Sequence, residues 1–536
     1  MSSKHAAHPA IIPGSRARGQ HYDVLVVGAG HNGLVAALCA ARAGLRVLVV
    51  ERASVIGGAT RTEHPFAQAP ELPHSTGAYL LGLMPPELLQ KLELEIPVLR
   101  RDPHYFLPRE QRGYLLFGSD QAELERQFVQ FFSRADFEAH LRLQAELAAL
   151  REDIAPTWLR QPDSIEDTAE RYVRPALREV FVRLCRGSVG EYLERFGFRS
   201  DLVKAMYAVT DGFSGLYGGY DTPGTGMNFL IHNMCRLPGA DGTWMIVQGG
   251  MGTVARVLAD ALQRHGGNIV VGEPVASVIV EGDAARGVVL EDGSEIRARA
   301  VIVNADPFRM QALVGSERLP LAYNARLAAM KRPGSTLKLN LALERAPSFR
   351  CLPQHGPQFG PTIHLLPEEG SVLAELERGF RAVQNGRLAD FPSIEWYMHS
   401  TVDPSLSDAR GRISSALFVQ WVPYELSDSS WEVEAEKYAR RLLEIADRFA
   451  PGTSALVSDW QILHPQKIEQ YFGISHGHIH HIDNSFGFAD RVPHRTPIPG
   501  LYSASAGTHP AGSVIGCAGY LAAGECLHDL GISPAA

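Results

Sequence analysis

A glycine-rich turn between two strand-like runs constrains this chain more than any other feature. The β-branched run over 22–27 predicts a strand buried on both faces, and Gly28, Gly30 and Gly33 follow it directly in the spacing G-x-G-x-x-G. Helical spacing follows the turn, and a second apolar strand then ends in Glu51. Strand, turn, helix and strand make one βαβ unit, which predicts α/β structure around a parallel sheet.

This unit predicts a binding site for an adenine dinucleotide. The first glycine permits the tight turn, the second lets the backbone approach a pyrophosphate, and the third lets helix and strand pack closely. The helix that begins near Asn32 would point its unpaired N–H groups at the pyrophosphate. Glu51, 23 residues after Gly28, is placed to accept hydrogen bonds from the adenosine ribose, and an acid there disfavours a 2′-phosphate.

Composition and charge exclude several classes of protein. The chain has 536 residues, 45% of them hydrophobic and 21% charged, which is typical of a folded globular protein with several domain-sized units. A formal charge of −8 argues against a nucleic-acid partner. The six cysteines include no C-x-x-C pair, and neither a leader sequence nor a long apolar run is visible. We therefore expect a cytoplasmic protein with reduced thiols and no membrane-spanning helix.

Motifs further along the chain carry a resemblance to a known family. They are Gly57-Gly58 followed by Thr62, the segment Gly-Gly-Met-Gly252, the strand that starts at Ser335, and the terminal Gly507-Thr-His-Pro510. With the opening motif they resemble the phytoene desaturase-like branch of the FAD-dependent amine oxidase superfamily. His31, Asn32 and the histidine segment ending at His481 are similar to bacterial relatives of pyridine nucleotide-disulphide oxidoreductase domain-containing protein 2. Ala59 stands where amine oxidases proper usually carry Arg, which weakens the analogy with amine oxidation.

The resemblance implies FAD as the cofactor. The residues that it places at FAD are Gly28, Gly30, Asn32, Gly33, Glu51, Arg52, Gly57, Gly58, Ala59, Thr62, Val275, Gly507, Gly512, Ser513 and Val514. It places the terminal segment at the isoalloxazine ring, where a helix predicted to begin near Ser513 would stabilise negative charge on the flavin. Cys517 suggests covalent attachment, but its placement differs from the amine-oxidase attachment motif, so we expect non-covalent FAD.

The expected fold class is a Rossmann-type FAD-binding domain, discontinuous in sequence, with an inserted substrate domain of mixed sheet and helices. The FAD-binding domain is expected over 21–84, 243–306 and 484–536. A mainly helical insertion, 85–242, and a substrate domain, 307–483, make up most of the rest. The first 20 residues carry no periodic pattern and are expected to form a mobile tail.

A second glycine-rich turn offers an alternative cofactor. Gly250-Met-Gly252-Thr-Val-Ala255 satisfies G-x-G-x-x-A, and Glu273 lies 21 residues after Gly252, so a second Rossmann unit for NADPH has to be weighed. Against it, the segment after Glu273 resembles a hairpin, and no disulfide pair exists for NADPH to reduce. The family resemblance implies instead that this turn packs along the FAD, with the backbone of Val275 at the adenine.

Three side chains are candidates for chemistry at the flavin. His481 matches the family pattern and is expected to donate or accept a proton in the active cavity. His509 either acts on the substrate or only forms local hydrogen bonds. Lys338 shares one strand face with Asn340 and could orient a water beside flavin N5, although a solvated outer face is the favoured interpretation.

Histidines and aromatic residues elsewhere have weaker functional interpretations. His476, His478 and His480 would share one face of an extended segment, but no acidic or cysteine partner stands at ligand spacing, so we expect no metal. Aromatic residues in strands could line an apolar tunnel, although they usually belong to the core. The residues in question are Trp396, Tyr397, Trp421 and Tyr424.

Together these features predict an FAD-dependent oxidoreductase that removes a hydride from carbon in a largely apolar substrate, such as a polyene, terpenoid or acyl chain. Oxygen or a quinone would take the electrons. The alternatives are an amine oxidase, a flavin-dependent double-bond isomerase, or a binding protein that contains FAD. The leucines within 84–99 could form a peripheral membrane contact, although an ordinary surface helix is favoured. The sequence does not indicate an oligomeric state.

Overall fold

The computed structural model describes residues 8–110, 112–240, 242–352 and 360–533. The strands, in chain order, are β1 (His21–Val27), β2 (Val47–Glu51), β3 (Thr62–Glu63), β4 (His74–Ser75), β5 (Val98–Leu99), β6 (Tyr105–Pro108), β7 (Tyr114–Phe117), β8 (Ile246–Val247), β9 (Asn268–Val271), β10 (Val275–Glu281), β11 (Ala284–Leu290), β12 (Glu295–Val303), β13 (Thr336–Leu343), β14 (Thr362–Leu365), β15 (Ser393–Met398), β16 (Ile413–Gln420), β17 (Val457–Leu463) and β18 (Leu501–Ser503).

The helices surround the strands and supply most of the insertion. They are α1 (Gly14–Ala17), α2 (His31–Arg42), α3 (Pro86–Lys91), α4 (Gln121–Phe131), α5 (Arg134–Ile154), α6 (Ile165–Tyr172), α7 (Arg178–Arg186), α8 (Val189–Glu194), α9 (Asp201–Tyr207), α10 (Thr225–His232), α11 (Gly252–Arg264), α12 (Pro307–Val314), α13 (Leu321–Met330), α14 (Val372–Gln384), α15 (Trp431–Phe449), α16 (Pro465–Phe472) and α17 (Cys517–Asp529). A π-helical turn, Ala208–Gly212, continues α9.

The first sheet has the strand order β10-β11-β12-β1-β2-β9, with β18 beside β12. β1 runs parallel to β2 and β12, and β2 runs parallel to β9. These pairings confirm the predicted βαβ unit and the α/β fold class. Because β18 pairs in parallel with β12, the C-terminal part of the chain returns to the sheet that the N-terminal part begins.

Alternation along β1 separates two cores of the first sheet. Val24 and Val26 face α2 and α11, while Leu25 and Val27 face the opposite side, where β10 and β11 pack against α12. The strand is therefore buried on both faces, as its apolar run predicts.

The second sheet has the order β17-β13-β16-β15-β14-β6-β7. Leu337, Leu339 and Leu341 of β13 pack with α15 on its outer side. Lys338 and Asn340 face the other way, and the expectation of a solvated face is wrong, since Lys338 is 3% exposed and Asn340 is fully buried. The loop from His74 to Gly77 covers them through carbonyl oxygens that accept their hydrogen bonds.

The insertion differs in detail from the sequence prediction. It is mainly helical, as expected, but β6 and β7 leave it to complete one edge of the second sheet. Leu88, Leu92 and Leu94, for which the sequence favours a surface helix over a membrane contact, are buried in the core under α2. Within the described ranges, no helix combines the length and apolar character needed to cross a bilayer.

Both ends of the chain also depart from expectation. Residues 1–7 of the predicted tail lie outside the described residues, but Ala10 and Ala17 are buried and Ile11 pairs with Ile269 beside β9. At the other end, α17 begins at Cys517 and not near Ser513, because the residues from Gly512 to Gly516 form bends rather than a helical turn.

Candidate functional site

A cavity of about 770 Å³ lies between the two sheets and reaches into the helical insertion. One end is formed by the carboxyl ends of β1 and β2, which is where open α/β sheets bind their ligands. The other end is formed by the inner face of the second sheet together with the π-helical turn and α10. We call the first the nucleotide end and the second the chamber.

Most of the predicted FAD residues line this cavity. They are Gly28, Gly30, Asn32, Glu51, Arg52, Gly58, Ala59, Val275, Ser513 and Val514. Gly33, Gly57, Thr62, Gly507 and Gly512 lie outside the cavity wall, and their contact with the cofactor stays a prediction.

The glycine turn is shaped by close approach of backbone to backbone. Gly28 has φ of +100°, which a residue with a side chain rarely adopts. A Cβ on Gly33 would lie 2.1 Å from the Gly28 carbonyl oxygen, so Gly33 allows α2 to start directly behind the turn without lining the cavity itself. The first turn of α2 faces the cavity with His31 and Asn32.

Glu51 braces the nucleotide end. One carboxylate oxygen accepts a hydrogen bond from the Ala29 N–H at 2.8 Å, and the other accepts one from the Ala53 N–H, also at 2.8 Å. A carboxylate has about four acceptor positions, so Glu51 retains capacity for ribose hydroxyls while it fixes the glycine turn.

Two guanidinium groups stand beside this end of the cavity. Arg52 and Arg309 both line it, and neither forms an ion pair with any residue in the described ranges. Burial and the nearby charge of Arg309 lower the pKa of Arg52. Two unpaired cations next to a glycine cradle and a helix N-terminus suit the diphosphate of an adenine dinucleotide, so the residues present fit FAD.

The second glycine-rich turn is not open to a phosphate. The N–H groups of Gly249, Met251 and Gly252 donate to Asp403 Oδ2 (2.7 Å), Ser75 Oγ (3.0 Å) and Thr62 Oγ1 (2.9 Å). Thr62 thus holds this turn. α11 packs beside α2 on the first sheet, so among the described residues both glycine-rich turns belong to one Rossmann unit. This argues against a separate NADPH site.

The C-terminal segment passes the cavity at Ala506, Ser513 and Val514. Gly507 and Gly512 sit behind it, where their N–H groups donate to Ser505 Oγ and Asn484 Oδ1, both at 2.9 Å. Because α17 begins only at Cys517, the predicted effect of a helix N-terminus near Ser513 is wrong. Cys517 itself is buried in the core and does not line the cavity.

The three predicted catalytic side chains have different locations. His481 lines the cavity, its Nδ1 lies 2.9 Å from Ser505 Oγ, and burial lowers its pKa to about 4. Lys338 also lines it, and its ammonium donates to the carbonyls of Ser75 (2.5 Å) and Gly77 (2.6 Å). Burial lowers the pKa of Lys338 well below its usual range.

His509 does not reach the cavity, which corrects its placement among the catalytic residues. Its Nε2 lies 3.2 Å from the Thr157 carbonyl oxygen, and its ring packs against Phe488. Burial lowers its pKa to about 3, so the ring is neutral and joins the C-terminal segment to the insertion.

The histidine segment is turned rather than extended, so its histidines do not share a face. His476 has φ of +61°, His478 Nε2 lies 3.3 Å from Asp483 Oδ2, and His480 Nε2 lies 2.9 Å from the Ser214 carbonyl. Within the described ranges, no three His, Cys, Asp or Glu side chains are grouped as a metal site would need.

The chamber floor is a row of side chains across the second sheet. Lys338, Phe418 and Glu395 are direct neighbours on β13, β16 and β15 and line the chamber, and His364 on β14 lies next to Glu395 outside the cavity lining. Tyr397, two residues after Glu395, lies on the same face and donates a short hydrogen bond to Glu395 Oε2. Among the described residues, none hydrogen-bonds Glu395 Oε1.

Aromatic side chains and one cation complete the chamber. The ring of Tyr79 lies 4.2 Å from that of Tyr397 and 5.3 Å from that of Phe418. Behind them, Arg101 is buried and donates to Thr362 Oγ1 (2.8 Å) and to the Trp244 carbonyl (3.0 Å). Burial lowers the pKa of Arg101 to about 10, so the guanidinium keeps its charge at neutral pH.

Sequence reasoning missed most of the chamber. Of the four aromatic residues considered, Tyr397 lines it, whereas Trp396 and Trp421 are core residues and Tyr424 bonds to Glu469. The chamber residues that no motif indicated are Tyr79, Asp211, His232 and Glu395, and Arg101 supports the wall through Thr362. Glu395 could have been noticed in the sequence, because it is the single acid in the otherwise apolar or aromatic stretch Ile-Glu-Trp-Tyr-Met.

Comparisons with known proteins agree with this geometry. The profile of the family described as flavin containing amine oxidoreductase matches residues 33–375. Rat pyridine nucleotide-disulfide oxidoreductase domain-containing protein 2 is 33% identical, over 95% of this chain and 94% of its own length.

Two further relatives are named for reactions on hydrocarbons. One chain of the limonene dehydrogenase of Castellaniella defragrans is 25% identical over 95% of this chain and 95% of its own length. The lycopene-forming phytoene desaturase of a Paracoccus species is 24% identical, over 92% of this chain and 95% of its own. The expected family resemblance is confirmed.

Proposed function

The chain belongs to the family of flavin containing amine oxidoreductases, and from this premise we propose that it is a dehydrogenase or desaturase of a largely apolar substrate. FAD is its cofactor, and the protein is an oxidoreductase. When bound, FAD takes up a hydrogen together with two electrons from a carbon of the substrate. The chain's own residues bind, orient and desolvate that substrate.

The observation that carries the proposal is that the aromatic chamber and the nucleotide end are parts of one cavity. Tyr79, Phe418, Trp244 and Leu80 give the chamber walls that suit an apolar chain or ring. The buried wall residues Leu80, Tyr397 and Phe418 limit the access of water to a bound substrate. The relatives named for limonene and phytoene support a terpenoid or polyene as the substrate. We propose oxygen or a quinone as the electron acceptor.

Lys338 and His481 take positioning roles in this proposal. The hydrogen bonds from Lys338 to the carbonyls of Ser75 and Gly77 fix the loop from His74 to Gly77 against the second sheet. His481 is held by Ser505 with its ring at the cavity wall.

Amine oxidation is the second candidate, and one observation favours it. Glu395 and Asp211 bring two carboxyl groups into the chamber, where an ammonium group would find a counter-charge. The two functions differ in which compounds reduce the cofactor.

The test is spectroscopic. We expect a two-band flavin spectrum from the purified protein, with colour released on acid precipitation because the FAD is non-covalent. Terpenoids, polyenes, acyl chains and amines are then mixed anaerobically with the protein, and bleaching identifies the substrate class. Bleaching by an alkylamine alone would replace the first function by the second. A colourless protein that cannot be reconstituted with FAD would refute both.

A further inference from the structure

The proposed oxidation removes two hydrogens from the substrate, one with the electron pair and one as a proton. The proton needs an acceptor at the chamber, and the predicted catalytic residues do not provide a suitable one. We propose that Asp211 is the residue that accepts this proton. The inference rests on the proposed function, since it concerns the same site and the same reaction.

Asp211 lies in the chamber wall on an unusual backbone. It belongs to the π-helical turn Ala208–Gly212, a form of helix that is often found at functional sites. The turn is fixed by Asn228, whose Nδ2 donates to the carbonyls of Asp211 (2.9 Å), Gly212 (3.1 Å) and Ser214 (3.2 Å). These hydrogen bonds fix the backbone of the turn, which places the Asp211 side chain at the cavity wall.

The carboxyl group of Asp211 has one oxygen in use and one to spare. Oδ2 accepts a hydrogen bond from Asn233 Nδ2 at 2.9 Å. Oδ1 accepts no hydrogen bond from any residue in the described ranges, and no cation among them lies within ion-pair distance of the group. An acid that is fixed by one bond and open on the other side is placed to take a proton from a bound molecule.

The surroundings of Asp211 raise its pKa towards neutral pH. Burial, with the negative charge of Glu395, raises its pKa to about 7, while the hydrogen bond from Asn233 and the charge of Arg151 act in the opposite direction. The other titratable groups that face it are Tyr105, Tyr207, His232 and Cys235. A base with a pKa near the working pH can both accept a proton and release it after turnover.

Other groups in the cavity are less suited to this task. Lys338 and Glu395 are engaged by two carbonyls and by Tyr397 respectively, and Glu395 also lies near Arg101. Burial lowers the pKa of His481 to about 4, and it lowers that of His232 as well, so both imidazoles hold a proton poorly at pH 7. Among the described residues, Asp211 combines a free carboxylate oxygen at the cavity with a pKa near the working pH.

The first experiment needs no substrate. The melting temperatures of the FAD-loaded wild type and of Asp211→Asn are compared between pH 5 and pH 8, with exposed Asp221→Asn as control. Because folding raises the pKa of Asp211 to about 7, the stability contributed by its protonated form is lost as pH rises to about 7, so the variant should gain on the wild type between pH 5 and pH 7 and then stay level. The control should show a constant difference, and a constant difference for Asp211→Asn would overturn the proposal.

The second experiment uses rapid mixing with the compound that bleaches the flavin. For Asp211→Asn we expect the reduction rate at pH 8 to fall at least about 100-fold, with the substrate Kd within about threefold of wild type. The wild-type rate should rise about tenfold per pH unit below pH 7 and level off above it, and the variant should lose this dependence. A raised Kd with an unchanged rate would make Asp211 a binding residue only, and would overturn the proposal.

Two further outcomes separate this proposal from the proposed function. If Glu395→Gln abolishes reduction and Asp211→Asn does not, the acceptor is Glu395 and our assignment is wrong. If no compound bleaches the wild type, the proposed function fails. The melting experiment then still decides whether Asp211 exchanges a proton near neutral pH.

Discussion

The two ends of the cavity are built by different means. At the nucleotide end, backbone groups make the surface, and glycines serve because a Cβ would collide with the turn. In the chamber, side chains from β13, β14, β15, β16 and the π-helical turn make the surface. The first kind of site is local in sequence and tolerates little change, whereas the second is assembled from distant segments and can change with the substrate.

The largest effect that this comparison predicts follows from one methyl group at the nucleotide end. Gly33→Ala places a Cβ 2.1 Å from the Gly28 carbonyl oxygen, and both atoms belong to rigid backbone. We expect the free energy of FAD binding to become less favourable by about 3 kcal/mol, which corresponds to about 100-fold weaker binding. Fluorescence titration of the apoprotein with FAD measures it.

Gly524→Ala is the matched control, because nothing lies within 4 Å of the added Cβ on α17. It should bind FAD as the wild type does. If Gly33→Ala also bound FAD normally, the glycine turn would not depend on close backbone approach.

The glycine turn and Glu51 could be predicted because they lie close together in the sequence, whereas Val275 and Arg309, which also line the cavity, come from distant segments. Gly28, Gly30, Glu51 and Gly58 all line the cavity, and the apolar runs gave the parallel strands that carry them. The prediction for the start of α17 failed, because the bends before Cys517 have no local pattern.

The chamber could not be predicted, for a physical reason that Lys338 illustrates. Its alternation with Leu337 and Leu339 correctly gave two faces, but a pattern of faces does not say what covers the polar one. Asp211 lies in a π-helical turn, which has no recognisable periodicity in a sequence.

The second prediction concerns the link between the two ends. Lys338→Met removes the donors to the Ser75 and Gly77 carbonyls while it keeps the length of the side chain. Because buried carbonyls then lose their partners, we expect about 2 kcal/mol of stability to be lost in denaturant titrations. The exposed Lys437→Met on α15 should have little effect.

The same variant distinguishes a positioning role for Lys338 from a role in reoxidation. If Lys338 positions the loop, reoxidation of the reduced flavin by oxygen should stay within about threefold of wild type. Unchanged stability together with slow reoxidation would show instead that Lys338 orients a water, as the sequence first suggested.

A smaller effect is expected when a side chain, and not the backbone, changes at the nucleotide end. Glu51→Gln leaves one of the two N–H groups of Ala29 and Ala53 facing an amide donor, since an amide has a single acceptor oxygen. We expect the free energy of FAD binding to become less favourable by about 1.5 kcal/mol, which corresponds to about tenfold weaker binding. The exposed Glu71→Gln serves as the control, and equal affinities of the two variants would argue against the bracing role.

The smallest effect is predicted for a residue that sequence analysis placed at the flavin. A Gln side chain can reproduce the position of His509 Nε2 and its bond to the Thr157 carbonyl. We therefore expect His509→Gln to cost less than about 1 kcal/mol and to leave the flavin spectrum and its reduction rate unchanged.

His481→Asn is the counterpart at the cavity wall. Asn tolerates the φ of +61° found at His481 and can keep the bond to Ser505, so the fold should persist. The flavin absorption bands should nevertheless shift, because a ring that lines the cavity is replaced by a smaller polar group. If His509→Gln slowed reduction more than tenfold at unchanged stability, while His481→Asn had no effect, the assignment of these two histidines to core and cavity would have to be reversed.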